Sequence, residues 1–124
     1  YLAPQGLFVV LERHGEIIAT GAYKPYDKDT AEIKRIWTKR SLRQQGLAAR
    51  VVPELERRAL LTGYSRIYLT TGFRQPEAVR LYLSQGYDPQ FDTTRNPEVY
   101  SQPPFDGRLR FTKLLTIAGQ AKIA

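Results

Sequence analysis

The stretch "KRIWTKRSLRQQGLAARVV", residues 34–52, joins a strand-like run to a helix-like one through a cluster of cations and one glycine. Lys34, Arg35, Lys39, Arg40, Arg43, Arg50 and, just beyond, Arg57 gather around Gly46. A helix N-terminus exposes backbone N–H groups and carries roughly half a positive charge, so it receives phosphate oxygens well. A ligand comes close only where side-chain bulk is low, which Gly46 and Ala48 provide. Arg43 and Arg50, with Lys39 and Arg40 nearby, add cations for further phosphates. The residues also allow a plainer reading, a solvated basic loop that caps an ordinary helix.

Outward from this turn, the chain reads as alternating elements. Residues 7–12, "LFVVLE", and 17–23 are two apolar runs joined by "RHGE", a hairpin. Residues 31–38 form a third strand after the loop "KPYDKDT". From Gly46 to about residue 61 the spacing predicts a helix, with Leu47, Val51, Val52, Leu55 and Ala59 on one apolar stripe. Gly63 stops it, and Pro53 inside it predicts a kink. Residues 66–71 form a fourth strand. Pro76 and Glu77 open a second helix to about residue 85, closed by Gly86. Residues 87–91 make a short strand, and "DTTRNPEVYSQPPFDG" is a long polar loop of the kind that often carries function. A last strand covers 108–116. Strands alternating with two helices point to an α/β sandwich with a mixed sheet.

In the third strand, Ile33 and Ile36 are three apart, so a regular pleat would aim them at opposite faces. One extra residue between them, a β-bulge, lets both reach one core and bends the strand. The alternative is that each isoleucine serves a different core.

The 124 residues suit one domain, 1–124. No apolar run approaches the ~20 residues of a membrane span, and no secretory signal pattern opens the chain. Cysteine is absent, which excludes disulfides and thiolate metal sites and fits a cytoplasmic protein; no metal is expected. Methionine is absent too, so we expect a truncated or processed chain that lacks an N-terminal piece. The net charge of +7 implies an anionic partner: nucleic acid, an anionic membrane surface or a polyphosphorylated small molecule.

No G-x-x-x-x-G-K-[ST] and no G-x-G-x-x-G occurs, which removes the P-loop and leaves a dinucleotide site unsupported. What stands between strand and helix is R-x-x-G-x-A, "RQQGLA". The segment "AEIKRIWTKRSLRQQGLAARVVPELE" resembles the acetyl-CoA-binding motif [QR]-x-x-G-x-[GA] of the GNAT superfamily of acyl-CoA N-acyltransferases. "PEAVRLYLSQGY" is similar to its second motif, A-x-x-L-Y-x-x-x-G-[FY], at Ala78, Leu81, Tyr82, Gly86 and Tyr87. Both lie in order with a strand between them, and the resemblance covers about residues 7–116. It implies a GNAT-like α/β fold, with a mixed, mostly antiparallel central sheet flanked by helices.

The resemblance further implies that backbone amides around Arg43, Gln44, Gln45, Gly46, Leu47, Ala48 and Ala49 hold the pyrophosphate of coenzyme A. The main chain of Ile36, Trp37 and Thr38 would pair with the pantetheine arm like an added strand. Many family members place an Asn where Gln75 stands, and the longer side chain leaves that contact open. Glu32, eleven positions before Arg43, matches the place of a catalytic glutamate in many members. A primary amine with pKa near ~10.4 is only about one part in 10³ neutral at pH 7, so a base helps, directly or through water. Tyr82 matches the motif tyrosine that often acts as general acid toward the thiolate. An amide at or beside Trp37 would polarise the thioester carbonyl.

These residues lead us to expect an N-acetyltransferase using acetyl-CoA, with a small-molecule or peptide amine as acceptor and neither nucleic acid nor membrane as partner. The chief alternative is a basic nucleic-acid-binding module, against which stand the missing RNP-type motif and the clustering of cations at one turn. A second is a non-catalytic acyl-CoA-binding protein of the same fold. His14 belongs to a surface turn. Tyr23, Tyr26, Tyr100 and Phe105 are minor candidates for an acceptor pocket, and an exposed sheet edge at residues 7–12 favours pairing, including a homodimer.

Overall fold

The computed structural model describes residues 6–43 and 45–115. The chain divides into a first unit, Tyr1–Ile67 with Leu114–Ala124, and a second, Tyr68–Lys113.

In the first unit, β1 (Leu7–Arg13), β2 (Glu16–Pro25) and β3 (Thr30–Thr38) form an antiparallel run in that order. His14 (φ 53°) and Gly15 (φ 80°) make the two-residue turn between β1 and β2. Two positive φ values in succession give a turn whose twist matches the strands it joins. Helix α1 (Leu47–Thr62) follows, packed on β2 and β3. Its buried residues are Leu47, Val51, Val52, Leu55 and Ala59, the stripe expected from spacing. Full burial of a leucine or valine such as Leu55 or Val52 contributes about 1.5–3 kcal/mol. Pro53 lies inside this helix, which continues past it to Thr62. Gly63, at φ 116°, ends it and donates its N–H to the carbonyls of Ala59 and Leu60.

Register fixes which side chains share a face. Val9 pairs with Gly21, and Leu7 with Tyr23, which pairs with Ile33. A Cβ on Gly21 would meet Val51 and Leu55, so this row faces α1. Phe8, Val10 and Trp37 belong to the opposite face, where they are exposed.

The second unit holds most of β4 (Arg66–Gly72), with α2 (Pro76–Ser84), β5 (Asp88–Pro89) and β6 (Arg108–Leu114), in strand order β4-β6-β5. Pro76 and Glu77 open α2 as expected, and Gly86 follows it at φ 87°. The core is aromatic: Phe111 is fully buried, with the rings of Tyr82 at 5.6 Å and Phe91 at 5.3 Å. The strand expected over 87–91 narrows to Asp88 and Pro89, and the Tyr87 N–H before it is taken by the Tyr82 carbonyl at the end of α2. Only Gln90 N–H continues the pairing, donating to the Arg110 carbonyl at 2.7 Å. Thr116, the expected end of the last strand, lies outside the described residues.

Six strands, antiparallel ladders and two helices give the mixed α/β architecture. Among the described residues, no helix is long and apolar enough to cross a membrane.

Candidate functional site

Gly46 is the N-cap of α1, at φ 77° and ψ 17°. This left-handed conformation costs a residue with a Cβ about 1–2 kcal/mol. Nothing lies within 4 Å of a Cβ built there, so the turn is open and the demand for glycine is conformational. The cap supplies no side-chain acceptor, and the first turn carries no acidic residue. The positive end of α1 therefore receives no anion from its own sequence.

The surrounding cations split into two groups. Lys34 pairs with Glu32, Lys39 with Glu16, and Arg57 with Glu54. Among the described residues, Arg35, Arg40, Arg43 and Arg50 have no ion-pair partner; Arg40, Arg43 and Arg50 flank the glycine and are exposed. Gln45 is exposed, Leu47 is buried beneath the turn, and Ala48 and Ala49 are half-buried. Gln44 lies outside the described residues.

Ten residues before this turn, β3 is bulged. Pairing runs Ala22↔Lys34 and resumes at Thr20↔Trp37, so Arg35 and Ile36 together oppose Gly21. Arg35 takes up the irregularity at φ 59°. As a consequence Ile33 and Ile36 share the face toward α1, as the sequence spacing suggested. Ile36 Cδ1 lies 2.9 Å from a Cβ built on Gly21, and Val51 Cγ1 lies 2.7 Å from it. Only glycine fits there. On the carbonyl side, Thr20 Oγ1 donates to Arg35 O at 3.2 Å. Gly21 and Thr20 did not emerge as site residues from sequence, although an isolated glycine in a strand is itself a bulge signal.

Glu32 precedes the bulge, paired in register with Lys24 and half-buried. Its Oε2 lies 3.4 Å from Lys34 Nζ. A carboxylate so held is an acceptor for protons or for a cationic amine.

In the second unit, Tyr82 is 5% exposed, on the inner side of α2. Its ring meets those of Tyr87 and Phe111 at 5.6 Å each. Burial pushes its phenol up to about 12, so the hydroxyl stays protonated at neutral pH. Gln75, the N-cap of α2, turns its side chain back: Oε1 accepts from Thr71 Oγ1 at 2.6 Å.

Among the minor candidates, Tyr23, Tyr100 and Phe105 make contacts within the protein. Tyr23 is buried and shares a hydrogen bond of 3.1 Å with Thr62. The Tyr100 hydroxyl donates to Asp92 O and accepts from Asp92 N–H, which ties the 92–107 loop to itself. Phe105 packs edge-on against Tyr100, and His14 occupies its exposed turn; Tyr26 is exposed. A cleft of about 270 Å³ lies between β1 and α1, lined by Val9, Val10 and Leu11 and by Arg50, Val51, Glu54 and Arg58. Among the described residues, no group of three or more His, Cys, Asp or Glu side chains is arranged to hold a metal.

The sequence profile of the acetyltransferase (GNAT) family matches residues 1–87. A candidate acyl-CoA N-acyltransferase from Klebsiella pneumoniae superimposes with a TM-score of 0.75 at 22% identity, over 90% of this chain and 74% of that one. An IAA acetyltransferase from Bacillus cereus gives 0.71 at 21% identity, over 90% and 79%. A GNAT family acetyltransferase from Elizabethkingia anophelis with acetyl-CoA bound gives 0.70 at 22%, over 90% and 77%. No curated protein sequence matches the chain. At these identities the superpositions speak for the fold, and the profile match over residues 1–87 speaks for the family: the chain belongs to the GNAT acetyltransferase family.

Proposed function

We propose that the chain transfers an acetyl group from acetyl-CoA to a primary amine by direct attack. The observation that carries this reading is Gly46: a left-handed, unobstructed cap on a helix with no anion of its own, flanked by Arg40, Arg43 and Arg50. Amides at residues 44–49 receive the pyrophosphate, and the main chain of Ile36, Trp37 and Thr38 pairs with the pantetheine arm. Glu32 takes the proton of the amine, directly or through water. The amine nitrogen bonds to the thioester carbon, the C–S bond breaks, and Tyr82 gives its proton to the departing sulfur. The acceptor is a small-molecule or peptide amine.

The test is release of free thiol from acetyl-CoA across a panel of primary amines. Glu32→Gln is expected to lower kcat by about 10²-fold or more, in the range of general base catalysis. Tyr82→Phe, which keeps the ring, is expected to lower kcat with little change in KM. Unchanged turnover in both variants removes these two roles. No thiol release with any amine, together with saturable acetyl-CoA binding, favours a non-catalytic acyl-CoA-binding protein. One observation leans that way: Glu32 is already engaged by Lys34.

A further inference from the structure

We propose that Thr20, on the neighbouring strand, is a positioning residue for the acyl-CoA arm, through a hydrogen bond that locks the bulge. This rests on the reading that the main chain of Ile36–Thr38 binds that arm.

A bulge in an antiparallel pair frees one residue from the ladder and rotates its peptide. Here that residue is Arg35, whose positive φ turns its carbonyl away from regular pairing. A carbonyl so diverted leaves the ladder and accepts from water or from a nearby side chain. The donor is the Thr20 hydroxyl, at 3.2 Å. The same Thr20 pairs through its backbone with Trp37, the residue at which regular register resumes. Thr20 thus holds both sides of the irregularity, Arg35 by side chain and Trp37 by main chain. From the α1 face, Ile36, Val51 and Leu55 close over Gly21, where no Cβ fits. The bulge is clamped from two faces, by packing on one and by a single hydroxyl on the other. The hydroxyl adds a restraint on the Arg35 peptide that packing from the α1 face does not supply, and so favours one orientation of the peptides after it before a ligand arrives.

The experiment compares Thr20→Val, which keeps shape and loses the donor, with Thr20→Ser, which keeps the donor. Trp37, the single tryptophan of the chain, reports binding by its fluorescence. In the free protein, Thr20→Val is expected to speed amide hydrogen exchange at Ile36 and Trp37 about tenfold, with Thr20→Ser near wild type. With acetyl-CoA, Thr20→Val is expected to raise KM and the fluorescence Kd about three- to tenfold with kcat within about twofold, and Thr20→Ser to restore both. Unchanged exchange in Thr20→Val overturns the lock. Faster exchange with unaltered acetyl-CoA affinity overturns the positioning role, as does equal loss in both variants. If wild-type protein binds no acetyl-CoA, the functional reading falls and this inference with it, whereas failure confined to the Thr20 variants leaves that reading standing.

Discussion

In the first unit the features suited to a ligand belong to the main chain: the left-handed cap at Gly46 and the diverted peptide of Arg35 opposite Gly21. In the second unit the corresponding feature is one side chain, the Tyr82 phenol, enclosed by Tyr87 and Phe111. The first arrangement depends on the absence of side chains, since a Cβ at Gly21 collides and one at Gly46 strains the turn. The second depends on their presence, since only a filled aromatic core desolvates the phenol. Substitutions should therefore separate the two regions by type. Truncation ought to damage the second, and enlargement the first.

The largest expected effect is on the aromatic side. Phe111→Ala removes a fully buried ring and is expected to cost about 3–5 kcal/mol in denaturant unfolding. A loss below about 1 kcal/mol would break the contrast. Next comes Tyr82 itself. Its pKa is raised from 10 to about 12, so the stability it contributes is full below pH 10 and is lost as pH climbs from 10 to 12. Tyr82→Phe should therefore stay level with wild type near neutrality and gain on it by about 2–3 kcal/mol by pH 12.

On the main-chain side, Gly21→Ala drives a methyl group into Val51, Leu55 and Ile36 and is expected to cost about 1–3 kcal/mol. Gly46→Ala meets no atom, so only the backbone strain of about 1–2 kcal/mol should appear in unfolding. The same variant should bind acetyl-CoA more weakly. Equal stability losses for Gly21→Ala and Gly46→Ala would show that clash and strain are not distinct here. The smallest effect concerns Glu54, held near 2 by hydrogen bonds from Arg57 and Arg58. Its contribution is present above pH 4.5 and fades as pH falls toward 2. Exposure and salt screening keep it below about 1 kcal/mol, which Glu54→Gln read by thermal unfolding should match.

The sequence disclosed most where a local rule acted without tertiary competition. Five apolar residues at helical spacing gave the buried stripe of α1, and glycines 46, 63 and 86 marked turns that all take positive φ. The offset of Ile33 and Ile36 disclosed the bulge, since pleat parity leaves few other ways to seat both on one side. Local rules were silent on what answers the bulge from the neighbouring strand. Thr20 and Gly21 read as ordinary members of β2 until register sets them against Arg35 and Ile36. The strand expected over 87–91 was too long at its start because the end of α2 claims the Tyr87 N–H, which the residue type alone does not show. Glu32 and Tyr82 were legible as residue types at motif positions, but not the ion pair of the one or the full enclosure of the other.

The most direct test of the central claim is amide-resolved NMR of the 124-residue chain titrated with acetyl-CoA. The account predicts a saturable response, largest at the amides of Gly46, Leu47, Ala48 and Ala49 and at Trp37. Saturation with those amides unmoved, or no binding, would contradict it.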